Sequence, residues 1–574
     1  MEAATQPSGS SDRLDYAIVG AGVSGLYTAW RLLEDAKTRQ MPMPKIGIFE
    51  MGDRTGGRLL TWLPAEGLRA ELGGMRFFEQ QELVWNLVAQ LGFGKRDMTS
   101  FWVDGPNLRL LLRGVSTLAA GTDPTARYAL PSNLRGQSAG KIIGDTITNV
   151  LQAPENWPVI EQLLGGLEAD GLPKDREAWD RIKPELSWRG TPLWNVGFWN
   201  LLSDIHTAET YQYLVDALGY FSLAGNWNAA EAMEFIALDF TVTLYMSLDR
   251  GYSALPDTLA QQAQSLGAQI HLNTRLVRFD GQADGSSRLL LAPAGDAAQY
   301  TVDAEHLVLA MPRRSLELLA PSAEFDIQGD ERLKQLVTTI KPQPAFKLYL
   351  FYDERWWEQL GITHGRSISD LPLRQTYYFA PQPWADGEPM PRYGMLLASY
   401  NDARAVDYWQ GFVPRESIAD TLEHAEHLKQ GVRDMIAAGL PEGATPSEDV
   451  PDPPPHLHVA TPEMLSHVRS QLALLHDIPE SEVPEARFGG YGDWGRDPWG
   501  GGWNFWDSQV NVLDAMTQIK TPLGADRRVY IVGDAYSGAQ GWVEGALTSA
   551  EKTIQEHLGV SAPGWLPEGY YLGW

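Results

Sequence analysis

The segment 15–50 constrains this chain more than any other. Tyr16-Ala17-Ile18-Val19 is a run of β-formers, and Gly20-Ala21-Gly22-Val23-Ser24-Gly25 follows it with the spacing G-x-G-x-x-G. Leu26, Ala29, Leu32 and Leu33 then fall on one helical face, and Ile46-Gly47-Ile48-Phe49 forms a second strand that ends on Glu50. A glycine pattern is weak by itself in a chain with 56 Gly. Set between a strand and a helix, with an acid closing the next strand, it specifies a dinucleotide site. Gly20 permits the tight turn, Gly22 lets backbone amides approach a pyrophosphate, and Gly25 lets the helix lie close to the strand. The helix N-terminus faces the phosphates with its amides and dipole, and Glu50 is placed to accept from a ribose hydroxyl.

Composition narrows the partners. A length of 574 residues suggests roughly three or four domain-sized units. A formal charge of -27 argues against nucleic acid or an anionic membrane surface. Cysteine is absent, which excludes disulfides, thiolate metal sites and cysteine nucleophiles. His271 and His306 have no partner at metal-ligand spacing, so both read as structural and no metal is expected. No apolar run reaches the roughly 18–20 residues that span a bilayer. Residues 1–12 are polar, lack the apolar core of a signal peptide and read as a frayed leader. A cytoplasmic location is the expectation.

Two further glycine pairs sit beside arginines. Arg54-Thr55-Gly56-Gly57-Arg58 follows the second strand and suits another phosphate contact, since arginine offers a planar fork and glycine lets the backbone close in. Ala70-Glu71-Leu72-Gly73-Gly74-Met75-Arg76-Phe77-Phe78 sets Arg76 among apolar neighbours, where an arginine needs an anion, internal or from a ligand.

These runs together, the G-x-G-x-x-G opening, the acid on the next strand, R-x-G-G-R and G-G-M-R-F, resemble the flavin amine oxidase superfamily and, within it, the L-amino-acid oxidases. The resemblance is strongest at the two ends and in the middle, and weak over 112–230. It implies an α/β + α amine-oxidase fold. A discontinuous Rossmann-like FAD-binding domain covers 13–70, 251–340 and 508–560, and a mixed-sheet substrate domain covers 71–114 and 341–507. An inserted helical domain covers 115–250, and a tail covers 561–574. With no cysteine there is no thioether tether, and the FAD is expected to be non-covalent.

The resemblance assigns roles along the rest of the chain. Arg76 holds the substrate carboxylate. Tyr400, on the strand 393–400, shares it, with Ser399 the choice if the register slips by one. Lys347, which interrupts the apolar strand 345–351, is the lysine that assists oxygen reduction; from the residues alone it is equally an edge or snorkelling lysine. Cofactor contacts are implied at Gly57, Arg58, Gly74, Met75, Arg76, Asp534, Gly541, Trp542 and Val543, and at Leu276 through its main chain. Trp542 is one wall of an aromatic cage over the flavin, and the Gly541 carbonyl accepts from the substrate amine. The Gly- and Trp-rich segment 489–503 makes Trp494 and Trp499 candidates for the flavin border and side-chain pocket.

Local pattern adds helices over 140–151, 203–218 and 229–246, a strand over 270–279, a helix ending near 266, and an exposed linker over 443–455. The expected reaction is oxidation of L-amino acids to 2-oxo acids with release of ammonia and hydrogen peroxide. Its partners are the amino acid and O2, and a homodimer is expected. An amine or polyamine oxidase, or an amino-acid monooxygenase, is the alternative on the same scaffold. No Ser/His/Asp or Cys/His arrangement calls for a dedicated base.

Overall fold

The computed structural model describes residues 13–240, 244–295, 298–379, 391–413, 420–439 and 450–573. The expected leader and residues 443–449 of the expected linker lie outside them; residues 451–455 are irregular and partly exposed.

Among the described residues, seven strands form one sheet. Gln269–His271, Ile46–Phe49, Leu14–Val19 and Tyr300–Leu309 lie side by side and parallel. The outer edge of the long strand Tyr300–Leu309 is shared. Its first half pairs antiparallel with Ser287–Pro293, which pairs with Thr274–Gly281, and its second half pairs parallel with Val529–Ile531 from late in the chain. Ile46–Phe49 is buried at every position, the pattern of a strand covered on both faces. The helix Val23–Thr38 packs against Ala254–Ser265 and Val543–His557.

The single strand expected over 270–279 is two strands. Asn273 has φ +53° and breaks the run, so Gln269–His271 joins the parallel core and Thr274–Gly281 turns away into the antiparallel pair. An asparagine tolerates the left-handed conformation that such a turn needs.

An eight-stranded, largely antiparallel sheet runs in the order His458–Val459, Phe488–Asp493, Ala345–Tyr352, Gly394–Asp402, Gln375–Tyr378, Gly365–Ser369, Arg109–Leu112, Val115–Leu118. All eight residues of Ala345–Tyr352 are buried. Tyr349 and Phe351 enter one core, while Phe346, Leu348, Leu350 and Tyr352 enter another, as the two-residue period of a strand dictates. Lys347 lies on the Tyr349 side, is 2% exposed, and is neither an edge nor a snorkelling residue.

A third core is helical, built from Ala139–Leu151, Trp157–Leu164, Arg176–Ile182, Phe198–Ile205, Ala208–Ala217 and Ala229–Asp239. Three expectations are corrected here. The helix expected over 203–218 is two, broken at His206, with the Thr207 side chain capping the second by accepting from the Thr210 amide at 3.2 Å. The helix expected over 229–246 ends at Asp239, and Leu244–Leu248 is a strand paired with Met98–Trp102; a partner far away in sequence overrides local propensity. The helical reading of 115–250 also fails at its start. Val115–Leu118 closes a hairpin with Arg109–Leu112 through Arg113 and Gly114, both at positive φ. Among the described residues no helix is long and apolar enough to cross a membrane.

Candidate active site

A cavity is bordered by the first glycine turn, by the Gly73–Arg76 segment and by aromatic residues of the helical core. Every residue singled out from the sequence as a cofactor or substrate contact lines it, except Gly25. Gly25 instead packs the helix on the turn: a Cβ there would lie 2.1 Å from the Gly20 carbonyl oxygen and 3.1 Å from Ala310 Cβ. Gly20 has φ +105°, while a Cβ on Gly22 would point into open space.

At this end the Glu50 carboxylate accepts from the Ala21 amide at 2.8 Å and the Gly52 amide at 2.8 Å. Two backbone donors fix it at the cavity edge and leave lone pairs for a ligand hydroxyl. The helix Val23–Thr38 starts at Gly22 with no side-chain cap, and the helix Val543–His557 starts at Trp542 likewise. Two uncapped helix starts on one cavity leave amide donors for phosphate or another anion. Leu276 lines the same end, at a bulge between Leu276 and Arg278 where the ladder with Ser287–Pro293 slips. These donors and acceptors fit a dinucleotide. The buried Tyr252 hydroxyl, with no partner among the described residues, is a further polar group at the cavity.

Further in, Arg58 is ion-paired to Asp534 and donates to the Gly502 carbonyl at 3.0 Å. Its guanidinium therefore orients an acid of the cavity wall. Asp534 also accepts from the Gly541 amide at 3.3 Å. A Cβ on Gly73 would lie 1.8 Å from the Arg58 carbonyl oxygen, so only glycine lets the two segments cross here. Lys347 Nζ donates to the Glu71 carbonyl at 2.8 Å and the Gly73 carbonyl at 2.6 Å, with Met75 Sδ at 3.4 Å. Burial pulls its pKa down to about 7; Glu71 opposes that shift and the Arg76 charge adds to it. Trp494 donates to the Leu72 carbonyl at 2.7 Å and meets Trp499 edge-on at 5.3 Å, so this pair flanks the Gly73 segment.

Arg76 stands in an aromatic cage. Its guanidinium carbon lies 4.1 Å from the Tyr245 ring centroid, 5.3 Å from Phe101 and 5.9 Å from Tyr377, and Nη1 donates to the Tyr377 hydroxyl at 3.3 Å. No carboxylate of the described residues pairs with it. Burial pulls its pKa down, but the phenol oxygens of Tyr377, Tyr245, Tyr220 and Tyr400 outweigh this and leave it raised. It is a buried, permanent cation at a cavity edge.

Tyr400 lines the cavity, while Ser399 points to the opposite face and donates to the Leu373 carbonyl at 3.0 Å. The Tyr400 ring lies 4.6 Å from Lys347 Nζ and meets Tyr220 edge-on at 5.2 Å. Trp542 meets Phe78 edge-on at 5.4 Å and stacks on Tyr245 at 6.1 Å. Tyr220, Leu223, Phe235, Phe240, Trp503 and Phe505 make up an apolar wall beside Arg76 and Tyr400.

Tyr220, Tyr245 and Tyr377 were not singled out from the sequence. Tyr245 lay in the segment read as helix. Tyr220 comes from the helical region on a loop held by Asp402, which accepts from the Phe221 and Ser222 amides at 2.8 and 3.0 Å. Tyr377 sits on the short strand Gln375–Tyr378. No local pattern marks these three, because Tyr245 and Tyr377 meet Arg76, and Tyr220 meets Tyr400, only through long-range packing.

The model of the flavin-containing amine oxidoreductase family matches residues 23–458. Achacin of Lissachatina fulica is 25% identical over 576 residues, covering 96% of this chain and 94% of its own length. An uncharacterized protein of Acanthamoeba polyphaga mimivirus is 22% identical over 571 residues, covering 96% and 94%. The L-amino-acid oxidase of Bungarus fasciatus is 21% identical over 365 residues, covering 63% and 62%. Among solved structures, cyclohexylamine oxidase from Brevibacterium oxydans IH-35A superimposes with a TM-score of 0.61 at 15% identity, over 95% of this chain and 98% of that one. Putrescine oxidase bound to putrescine gives 0.60 at 17%, over 95% and 99%. At these identities the structural likeness shows the fold.

Proposed function

The chain belongs to the flavin-containing amine oxidoreductase family, and from that premise we propose that it oxidises L-amino acids at the Cα–N bond, giving 2-oxo acid, ammonia and hydrogen peroxide. One observation carries the reading: Arg76 is a buried guanidinium at the cavity edge with no carboxylate partner among the described residues. An unpaired buried cation is costly, and a substrate carboxylate would satisfy it. A substrate carrying only an ammonium would meet repulsion there. The name of the Bungarus fasciatus relative agrees with this assignment.

The cofactor is proposed to be FAD, held without a covalent bond. Gly20, Gly22, the Val23–Thr38 amides and Glu50 would receive its dinucleotide part, and Gly57, Gly74, Met75, Asp534, Gly541, Trp542 and Val543 its ring end. When bound, the flavin accepts the electron pair from Cα and passes it to oxygen. The chain does the rest. Arg76, assisted by the Tyr400 hydroxyl, binds the carboxylate in a fixed orientation and so orients Cα–H. The rings of Tyr220, Phe240, Trp503 and Trp542 exclude water and favour the uncharged amine, whose N–H the Gly541 carbonyl accepts. Lys347, its pKa near neutrality, can hold or release a proton at Nζ and is assigned to the oxygen half of the reaction. The wall of Leu223, Phe235, Phe240 and Phe505 carries no charge and suits an apolar side chain.

The test is peroxide formation by the purified, flavin-loaded protein with L-phenylalanine and with phenethylamine, its decarboxylated counterpart. Peroxide from the amino acid alone is expected. Turnover of the amine alone overturns the reading, and an oxygenated amide product in place of peroxide reassigns the chain as a monooxygenase.

A further inference from the structure

Among the described residues Arg76 has no acid to hold it, and the Tyr377 hydroxyl that accepts from its Nη1 at 3.3 Å belongs to a longer chain. The Tyr377 hydroxyl donates to Gln375 Oε1 at 3.2 Å, and Arg366 Nη1 donates to the same oxygen at 2.9 Å. The strand period puts these side chains on one face of the sheet. Gln375 and Tyr377 alternate along Gln375–Tyr378, and Arg366 stands opposite Tyr377 on Gly365–Ser369. Gln375 is fully buried, Tyr377 nearly so, and none of the three borders the cavity.

The chemistry of these groups leaves one arrangement of protons. A guanidinium only donates, so the atom that Arg366 meets is the amide oxygen of Gln375 and not its nitrogen. An amide oxygen only accepts, so the Tyr377 hydroxyl places its one proton there. The phenol oxygen then turns lone pairs alone toward Arg76, which again only donates. A hydroxyl turned the other way would set its proton against the Arg76 N–H. Gln375 Nε2 has no partner among the described residues, so the bond from Arg366 is what keeps the amide from turning over. Gly219, at φ +87°, gives that amide its room: a Cβ there would lie 3.1 Å from Gln375 Cγ and Cδ. Burial pushes the Tyr377 pKa up, but the charges of Arg76 and Arg366 outweigh this and leave it lowered.

We propose that Arg366 and Gln375 are positioning residues of the carboxylate site: Arg366 fixes the Gln375 amide, the amide takes the Tyr377 proton, and the phenol oxygen so oriented holds Arg76 toward the cavity. The proposal rests on the functional reading above for the identity of the anion. It places determinants of substrate binding on two strands of the eight-stranded sheet, at residues that do not border the cavity.

The test uses the flavin-loaded protein with benzoate, a carboxylate that has no oxidisable amine, and with benzamide, its uncharged counterpart, both titrated by calorimetry. Tyr377→Phe is expected to weaken benzoate by about tenfold, the scale of one lost hydrogen bond to a charged group, and to leave benzamide within about twofold. Arg366→Met, which keeps the apolar stem and removes the donor, is expected to weaken benzoate severalfold. The two variants combined decide the route. If Arg366 acts through the Tyr377 hydroxyl, adding Arg366→Met to Tyr377→Phe weakens benzoate by less than about a further twofold. If Arg366 acts only as a nearby positive charge, the two losses multiply, and the proposal is overturned. Wild-type affinity in Arg366→Met overturns it too, as does equal weakening of benzoate and benzamide, the mark of a distorted pocket. Should Tyr377→Phe fail to fold, Gln375→Met breaks the chain one residue further out and takes its place in the cycle. A wild-type protein indifferent to benzoate defeats the functional reading. Crystal structures of the wild type and Arg366→Met then decide the positioning role alone: a displaced Arg76 guanidinium supports it and an unmoved one overturns it.

Discussion

Several arginines elsewhere in this molecule hold an acid, and the buried Arg374 donates to the Ser369 and Val215 carbonyls instead. Arg31 Nε lies 2.9 Å from Glu551, Arg58 pairs with Asp534, and Arg176 binds Glu234. Arg76 instead rests on three rings and one phenol. A structural cation and a ligand-binding cation make opposite predictions on removal. Removing one member of an internal buried pair strands the other charge and destabilises the fold. Removing an unpaired buried cation relieves a desolvation cost. Arg76→Gln is therefore expected to keep or raise the melting temperature while kcat/KM for L-phenylalanine falls by at least about a hundredfold, the loss of a charge-assisted bidentate contact. A marked fall in melting temperature would mean that Arg76 serves the fold.

Two glycines of the first turn separate packing from binding at the level of the strand–turn–helix element. A Cβ on Gly25 would lie 2.1 Å from the Gly20 carbonyl oxygen, so the helix Val23–Thr38 would have to move off the sheet. A Cβ on Gly22 would meet nothing within 4 Å, and Gly22 has an ordinary φ of -75°. Gly25→Ala is expected to destabilise the protein by about 1–3 kcal/mol even without flavin. Gly22→Ala is expected to melt like the wild type when flavin-free and to retain much less flavin, because the methyl occupies the space that a pyrophosphate would need. Melting curves of the stripped proteins and flavin-to-protein ratios of the loaded ones check the pair.

At the scale of the whole molecule, a buried charge network ties the helical core to the C-terminal segment. Lys183 Nζ lies 2.8 Å from Asp180 and 2.8 Å from Glu231, and also pairs with Glu234; the Tyr571 hydroxyl donates to Asp180 at 2.8 Å. Glu231 is pushed up to about 7 from an ordinary 4.5, by burial first, with Lys183 opposing and Glu234 adding. The sign follows from the direction of this shift. Between about 4.5 and 7 the folded protein keeps a proton that the unfolded chain has lost, so the Glu231 contribution to stability is full below that window and is lost as pH rises through it. Gln does not titrate. The melting temperature of Glu231→Gln relative to wild type is thus expected to rise from pH 4.5 to 7 and then level off, by an amount equivalent to a few kcal/mol at most. A difference independent of pH would place the proton elsewhere in the network.

The sequence by itself determined what depends on neighbours along the chain. The glycine turn and its helix, the buried strand around Lys347, the Gly-Gly-Met-Arg run and the late strand leading to Asp534 were legible because spacing and local propensity specify them within a few residues. The tertiary structure decided whatever depends on convergence. The pleat of the strand Gly394–Asp402 turned Tyr400 to the cavity and Ser399 away. Pairing with Met98–Trp102 made a strand of Leu244–Leu248 and so brought Tyr245 under Arg76. Tyr220 reached the site from a helical core whose own sequence shows only helix tendency. Local pattern encodes which backbone forms; which side chains meet across hundreds of residues is set by the packing of elements, and a one-dimensional reading contains no term for it.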